Sequence, residues 1–538
     1  MVSCVDTTVF IIKTLFHTIL IYLFFAFGPI LLDIEPTKYN LTLPQTFDGP
    51  LTANNKLSQA DHLFVNEIIG PESLAVWKGD VYTGVSDGRI IRIRKDHYKT
   101  IAQFGDPLKC VNPWEMERCG RPLGMRFDSK GLLYVADAYY GIHTVNVTSG
   151  KVKRILTSKR PIDNIRPLFV DDLVISEEEQ AIYFTDASNK WDLKNVFYTV
   201  GEHDETGRVI RFDLKSKNST VIMKSLGFPN GIELSDDRTT LYVCEFNNRR
   251  IMKHFVDGDR RGQTDVFALN LPGEPDNIRR SSDPFRETYW VALAMGRNEK
   301  NPSFAMDMLS NWPKTRKALL RVMHTVGTVV EYFGKLIYFR PLIELGFKTK
   351  SGSIIFHTIT NYGMAVELDT DGNIIQSLHS PDGRTTLLSE VREVVVGDQK
   401  VLYLGSYGNN YIGKVSLGQL TKINRPLLTH EKKKFIDLQK KNFAKRSTDP
   451  KPYKPYKAFD LQNPDFGQHQ QQQQQYDQSD YRFDPDFQKA MKMRQMSKNK
   501  SKSKVKSKSK SKTKAKANSK TKSTSKSKTT KTITKSKT

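Results

Sequence analysis

The chain has 538 residues and a formal net charge of +25, but its basic residues are concentrated at one end. Residues 489–538 contain 20 lysines and arginines and no acid, and residues 425–488 add +3, so residues 1–424 carry only +2. This distribution excludes a basic globular domain as the source of the charge, and no nucleic-acid partner is expected.

The first predicted element is an apolar segment, residues 14–32, that is long enough to cross a bilayer. Lys13 precedes it and acids follow it, an order that predicts a cytosolic segment 1–13 and an exported remainder. A signal peptide cleaved after Gly28 is the competing interpretation. Because Pro29 would then be an unfavourable first residue, we prefer an uncleaved signal-anchor. The prediction is a single-pass type II protein of the plasma membrane or endoplasmic reticulum.

Two further features agree with export. Cys110 and Cys119 flank a short loop, and in an oxidising compartment we predict that they pair and close it at the surface. Three glycosylation sequons, at Asn40, Asn146 and Asn218, are the predicted sites, and a fourth, at Asn499, lies in the basic tail.

A recurring strand pattern follows a predicted stalk or linker at residues 33–64. Each copy is an apolar strand, a charged turn and a second strand rich in β-branched or aromatic residues. The copies are residues 71–93, 121–147, 170–188, 229–255, 275–294 and 389–417. Four-strand units repeated at this interval are typical of propeller blades, so we predict an all-β, six-bladed β-propeller over residues 65–424. An irregular all-β sandwich is the alternative.

The interval before the last copy contains one predicted helix, within residues 317–345. Its apolar residues recur at spacings of three and four: Leu319, Met323, Val326, Val330, Phe333 and Ile337. The favoured interpretation is a helix that caps one propeller face. The alternative is a lid or a helix apposed to a membrane.

The last predicted region, residues 425–538, alternates polar and basic residues and includes a glutamine run. It has too little apolar surface to form a core, so we predict a disordered tail. On an exported protein, a lysine–serine repeat predicts contact with polyanionic glycans or an anionic surface.

Polar residues recur where each predicted inner strand begins, and in a propeller these points converge on the central axis. Carboxylate and amide oxygens in a ring suit Ca²⁺, and the absence of histidine and cysteine from this ring argues against zinc. The register leaves open whether Asp171 or Asp172 belongs to it. The predicted metal ligands are Glu72, Asp171, Asn230, Asp276 and Asn277.

The motifs GRPLGMRFDSKGLLYVADAYYG, VDDLVIS, FPNGIELS and PDNIRR resemble the strictosidine synthase-like family, most closely its branch of adipocyte plasma membrane-associated proteins and insect haemomucins. The resemblance covers roughly residues 65–418 and the N-terminal segment. It implies a propeller and, by similarity to paraoxonases and regucalcin, a central calcium site on the same five ligands. The Cys110–Cys119 loop resembles a disulfide loop of strictosidine synthase.

Catalytic residues of these families are matched less well. The paraoxonase histidine dyad falls on Leu123 and near Ala138, and neither residue can move a proton. The catalytic glutamate of strictosidine synthase falls on Ser389 or Glu390. Asp172 and Glu390 are therefore the candidate bases beside a metal that polarises an ester.

Three functions follow from this reasoning. The first is a calcium-dependent, arylesterase-like hydrolase acting on a small ester. The second is a non-enzymatic adhesion or recognition glycoprotein of the cell surface. A strictosidine-type synthase ranks last, because the position of its catalytic glutamate is not clearly matched.

Overall fold

The computed structural model describes residues 4–28, 32–95, 97–106, 110, 115–283, 286–298, 307–355, 362–396 and 399–419. The chain divides into two compact units, Met1–Ile423 and Asn424–Thr538. All described residues belong to the first unit, and the predicted tail lies outside them.

The described residues form six four-stranded antiparallel sheets, which equals the number of repeated sequence units. The strands of the first three sheets in the chain are β2 Leu74–Trp77, β3 Asp80–Gly84, β4 Arg89–Arg94, β5 His97–Gln103; β6 Pro122–Phe127, β7 Leu133–Asp137, β8 Gly141–Asn146, β9 Lys151–Leu156; β10 Val170–Ser176, β11 Ala181–Asp186, β12 Gly207–Asp213, β13 Ser219–Leu226. Those of the next three are β14 Pro229–Leu234, β15 Thr240–Glu245, β16 Arg250–Phe255, β17 Thr264–Ala268; β18 Gly273–Arg280, β19 Tyr289–Gly296, β20 Gly363–Leu368, β21 Ile374–Ser380; and β22 Glu390–Val396, β23 Gln399–Gly405, β24 Ile412–Gln419, β1 Asp61–Leu63.

The sixth sheet is completed from the other end of the chain. Strand β1 pairs antiparallel with β24, so that Asp61 lies opposite Lys414 and Leu63 opposite Ile412. The segment predicted as a linker over residues 33–64 therefore contributes a strand, and its Leu57 is fully buried. This pairing joins distant parts of the chain and fixes both to one sheet.

The first strands of the six sheets form a closed cycle. Each of β2, β6, β10, β14 and β18 contacts the first strand of the next sheet, and β22 contacts β2. This radial repetition is the β-propeller arrangement. The second strands carry the β-branched and aromatic triplets of the sequence pattern, and β11 and β15 are buried along their whole length because other sheets cover both faces.

Within the described residues, the helices whose bounds are defined are α1 Cys4–Phe27, α2 Met116–Cys119, α3 Val196–Glu202, α4 Pro313–Leu336 and α5 Arg340–Lys350. Short 3₁₀ turns lie at Gly49–Leu51 and Leu193–Asn195. In the described residues one helix, α1, is long and apolar enough to cross a membrane, over Phe10–Phe27. It ends before the predicted boundary at residue 32, because Gly28 and Pro29 do not favour continuation of a helix.

The single helix predicted within residues 317–345 is two helices in the structure. Helix α4 ends at Leu336, Tyr338 adopts a left-handed φ of 53°, and α5 begins at Arg340. Pro341 lies in the first turn of α5, where its missing N–H leaves no hydrogen bond unmade. The two helices pack against each other as a hairpin inserted between β19 and β20.

The structure confirms the predicted disulfide. Cys110 and Cys119 are bonded, with their Cα atoms 4.9 Å apart. The three sequon asparagines are all exposed: Asn40 precedes the first sheet, Asn146 ends β8 and Asn218 lies in the turn between β12 and β13. Glycosylation of these residues stays a prediction.

Candidate metal centre

Irregularities recur at one point of the first strands. The pairing register with the second strand shifts between Pro122 and Met125, and again between Val170 and Leu173. The same shift occurs in the fourth and fifth sheets, at Pro229/Ile232 and Pro275/Ile278. A bulge bends the strand and changes the direction of its side chains. Three of these four shifts enclose predicted metal ligands: Asp171, Asn230, and Asp276 with Asn277.

These positions lie around a cavity of about 540 Å³. Its polar lining includes Glu72, Asp171, Asn230 and Asp276, which come from four different sheets. Ser389, just before β22, lines it as well, and in the second sheet Leu123 occupies the corresponding position. The cavity walls are largely apolar and include Phe169, Phe228, Phe246, Leu320, Met323 and Phe347.

We call five residues the oxygen cluster: Glu72, Asp171, Asn230, Asp276 and Asn277. The amide nitrogen of Asn277 donates to Oε1 of Glu72 at 2.7 Å. Three of the buried side-chain oxygens have no hydrogen-bond partner among the described residues: Glu72 Oε2, Asn230 Oδ1 and Asn277 Oδ1. Buried polar atoms in native proteins are nearly always paired, so the orphaned oxygens of Glu72 and Asn230, which both line the cavity, indicate a site for a further ligand.

The carboxylates of this cluster carry unfavourable charge. Burial, followed by repulsion from Glu390 and Asp172, raises the pKa of Glu72 to about 8. Burial and repulsion from Glu72 raise the pKa of Asp171 and also that of Asp276, where a hydrogen bond from Ser389 opposes the shift. These carboxyl groups therefore resist ionisation until a cation approaches.

Glycines allow the first strands to come this close. A Cβ atom on Gly124 would lie 2.3 Å from Oδ1 of Asp172, and one on Gly231 would lie 2.5 Å from the Cα of Asn277. Neither contact is possible for a larger residue without movement of the adjoining strand. The spacing of the cluster thus depends on these two positions.

The residues present fit a calcium ion. Their donors are carboxylate and amide oxygens, which are the hard ligands that Ca²⁺ prefers, and three of these oxygens are orphaned. Across the described ranges, however, no three His, Cys, Asp or Glu side chains are already assembled at metal-ligand spacing. An ion would have to draw the carboxylates and amides together.

A second group, which we call the arginine cluster, consists of Arg279, Asp172, Glu390 and Arg126. Nη1 of Arg279 lies 2.7 Å from Oδ2 of Asp172, and Nη2 lies 2.7 Å from Oε2 of Glu390. Arg126 reaches Asp172 at 3.3 Å. Burial raises the pKa of Asp172, but the two arginines outweigh it and hold that pKa below its ordinary value.

The arginine cluster contains both predicted catalytic bases, and neither Asp172 nor Glu390 is among the cavity-lining residues. Their neighbours in the sequence, Asp171 and Ser389, are. Asp171 and Asp172 lie in the bulge between Val170 and Leu173, and Ser389 lies just before β22, so the two members of each pair take different directions. The contacts of Asp172 and Glu390 are those of residues that hold Arg279 in place.

Sequence reasoning missed Ser389 as a lining residue, although it was one of the two registers left open. It also missed the apolar cavity walls, because most of them, such as Leu320, Met323 and Phe347, lie outside the repeated pattern. His143, which follows the mismatched dyad, is buried against the Phe104 ring at 4.9 Å, and burial lowers its pKa to about 4.

Family models match two parts of the chain. The strictosidine synthase model matches residues 171–259, and the strictosidine synthase-like N-terminal model matches residues 49–93. The first match begins at Asp171 and includes Asn230, and the second includes Glu72. The matched segments thus carry three residues of the oxygen cluster.

Comparison with known proteins gives more extensive matches. The chain is 35% identical over 388 residues to an adipocyte plasma membrane-associated protein of Danio rerio, covering 72% of this chain and 85% of that one. It is 28% identical over 384 residues to the adipocyte plasma membrane-associated protein Hemomucin of Drosophila melanogaster, covering 70% and 64%. A solved gluconolactonase from Xanthomonas campestris aligns over 72% of this chain and 99% of its own, at 14% identity and a TM-score of 0.41.

Proposed function

The chain belongs to the strictosidine synthase-like family, in the branch of the adipocyte plasma membrane-associated proteins, and from this premise we propose that it is a membrane-anchored, calcium-dependent ester hydrolase built on a six-bladed propeller. One observation carries the proposal: buried oxygens of Glu72 and Asn230 lack a hydrogen-bond partner among the described residues, and both side chains line a largely apolar cavity. Oxygens arranged in this way bind a hard cation, and apolar walls accept a hydrophobic substrate.

Each part of the site has an assigned task. Glu72, Asp171, Asn230 and Asp276 would hold the ion, while Asn277 orients Glu72 through its hydrogen bond. Bound Ca²⁺ would supply Lewis-acid polarisation of the ester carbonyl. The apolar walls position the substrate and exclude water from all but the reacting end.

The proton acceptor for an attacking water must lie in the cavity. The carboxylates of Glu72, Asp171 and Asp276 meet this condition, whereas Asp172 and Glu390 pair with Arg279 outside it. We therefore assign the acceptor to these lining carboxylates and a positioning role to Asp172 and Glu390. Asp172 of β10 and Glu390 of β22 hold Arg279 of β18 from two sides.

The test measures hydrolysis of an aryl ester by the full-length protein, with calcium and with chelator. We expect activity to depend on calcium and to fall at least about tenfold in Asn230→Ala, since an ion ligand is lost. The control is Asn55→Ala, which makes the same change at an exposed asparagine and should not alter the rate.

Equal hydrolysis by wild type and Asn230→Ala contradicts the metal-centred mechanism. Absence of hydrolysis under every condition contradicts the enzyme proposal and favours the recognition function predicted from the sequence. In that case, retention of the full-length chain on heparin, but not of a 1–424 truncation, assigns recognition to the basic tail.

We also infer that α1 anchors the protein with the propeller on the exported side. The exposed apolar surface of α1, the exposed sequon asparagines and the Cys110–Cys119 disulfide support this orientation. Glycosidase treatment of protein from intact cells tests it, because attached glycans at the three sequons require export.

A further inference from the structure

The helical hairpin presents an exposed apolar face. On α4, Leu319, Val326, Val329, Phe333 and Leu336 are each between 45% and 59% exposed. These residues recur at helical spacing on one side, so the exposure forms a continuous stripe rather than isolated positions. The stripe continues into the connection at residues 337–339, where Tyr338 is 93% exposed. Apolar patches of this kind mark interaction surfaces.

The orientation of this face is fixed by close packing on the opposite side of the helix. A Cβ atom on Gly327 would lie 2.7 Å from the carbonyl oxygen of Gly346, and one on Gly334 would lie 2.6 Å from the nitrogen of Ile343. Glu331 pairs with Lys335 at 2.6 Å and with Lys350 of α5 at 2.5 Å. Helix α4 therefore cannot rotate to bury its apolar stripe against α5.

The end of the predicted membrane span contacts α4 directly. Nη1 of Arg321 donates to the carbonyl oxygens of Phe25 at 3.4 Å and of Gly28 at 3.1 Å. Nζ of Lys314 lies 5.3 Å from the centre of the Phe27 ring. The point at which α1 leaves a bilayer is thus held against the first turns of α4, where the stripe begins at Leu319.

The same hairpin forms part of the cavity wall. Leu320 and Met323 of α4 and Phe347 of α5 line the cavity together with the oxygen cluster. Leu319 belongs both to the exposed stripe and to the cavity lining, so the two surfaces meet at this residue. A hydrophobic molecule at the stripe is therefore adjacent to the cavity.

We propose that the hairpin α4–α5 lies in the bilayer surface beside α1, and that the cavity takes a long-chain ester directly from the lipid. The membrane contact stands on the stripe and on the α1 contacts, whereas the substrate class rests on the proposed function. We assign lipid as the molecule that covers the stripe. When α1 is inserted in a bilayer, it keeps lipid close to this face at a high effective concentration. Two exposed basic residues of the hairpin, Lys314 and Arg340, suit an interfacial helix.

The membrane contact is tested with a fluorophore that reports its surroundings. Full-length protein with Cys4→Ser is reconstituted into phosphatidylcholine–phosphatidylglycerol vesicles and labelled at Val326→Cys or Phe333→Cys; the remaining free cysteine described, Cys244, is buried. The control is Asp259→Cys, in the exposed turn between β16 and β17.

We expect blue-shifted emission and quenching by nitroxide lipids at both hairpin positions but not at position 259. Quenching by aqueous iodide that is equal at all three positions overturns the proposal. Emission that changes with protein density but not with nitroxide lipid also overturns it, because a second copy of the chain would then cover the stripe.

Delivery from lipid is tested with two substrates. The double variant Val326→Ser/Phe333→Ser is compared with Asp259→Ser on 4-nitrophenyl palmitate in vesicles and on 4-nitrophenyl acetate in buffer. Neither substituted hairpin residue lines the cavity. We expect the palmitate rate to fall about tenfold in the hairpin variant and the acetate rate to be unchanged, since only apolar contact with lipid is lost.

Unchanged rates on both esters, or equal losses on both, overturn delivery through the hairpin. If wild type hydrolyses neither ester, the proposed function fails, and the fluorophore still decides whether the hairpin contacts lipid.

Discussion

Two acidic clusters lie next to each other on the first strands, and they differ in how their charge is balanced. In the arginine cluster, Asp172 and Glu390 each lie 2.7 Å from a nitrogen of Arg279. In the oxygen cluster, an oxygen of Glu72 and one of Asn230 are buried without a hydrogen-bond partner among the described residues. The adjacent residues Asp171 and Asp172 belong to different clusters. Arginines balance the charge of the arginine cluster, whereas the oxygen cluster still requires a cation.

The comparison indicates which cluster supports the fold and which supports function. Buried charges that are paired within the protein need no ligand, and loss of one partner leaves the other uncompensated. Buried oxygens that lack a partner oppose folding unless a ligand satisfies them. Substitutions in the two clusters should therefore respond oppositely to calcium.

The largest effect is expected from Arg279→Met in the arginine cluster. This change leaves Glu390 buried without its cation and Asp172 with Arg126 alone, and we expect the free energy of unfolding to fall by about 3–5 kcal/mol. Chemical denaturation in calcium buffer measures it. The matched control is Arg280→Met, which removes a partly exposed ion pair with Asp236 and should cost about 0–1 kcal/mol. Equal losses in the two variants contradict the assigned scaffold role.

A smaller effect is expected when calcium is removed from the wild type. An ion bound by the folded state alone stabilises it by about 2.7 kcal/mol at a free concentration about a hundredfold above its Kd. We expect chelator to lower the thermal midpoint of wild type but not that of Asp276→Asn, which loses a ligand charge. Asp259→Asn, at an exposed turn, should behave as wild type. A midpoint independent of calcium in wild type argues against the ion.

The contrast between the clusters was only partly predictable from the sequence. Repetition of the strand pattern identified the positions of Glu72, Asn230 and Asp276, because equivalent points of successive units meet in space. It could not choose between Asp171 and Asp172, because a bulge at this point breaks the simple alternation of side chains. The bulge therefore explains why Asp171 lines the cavity while Asp172 pairs with Arg279.

Two parts of the fold were also beyond sequence reasoning. Strand β1, Asp61–Leu63, is too short to show a pattern. Its partner β24 is about 350 residues later in the sequence. The apolar periodicity of α4 correctly indicated an amphipathic helix. It could not show that Val326 and Phe333 are exposed, because periodicity identifies an apolar face without identifying what covers it.

The smallest effect concerns the pH dependence of the calcium-free protein. The pKa of Glu72 is raised from 4.5 to about 8, first by burial and then by Glu390 and Asp172. The folded protein thus keeps a proton that the unfolded chain releases, so the contribution of Glu72 to stability falls as pH rises from 4.5 to about 8. The Glu72→Gln variant keeps an oxygen that can accept the hydrogen bond from Asn277, but its side chain cannot ionise.

In chelator, we therefore expect Glu72→Gln to match wild type near pH 5 and to be about 1–2 kcal/mol more stable near pH 8, because the coupled carboxylates share the titration. Denaturation midpoints across this range measure the difference. In calcium the order should reverse at pH 8, since only wild type retains the full ligand charge. Parallel stability curves in chelator would contradict the raised pKa. A more stable variant in both buffers would show that the oxygen cluster is strained without being a metal site, which removes its distinction from the arginine cluster.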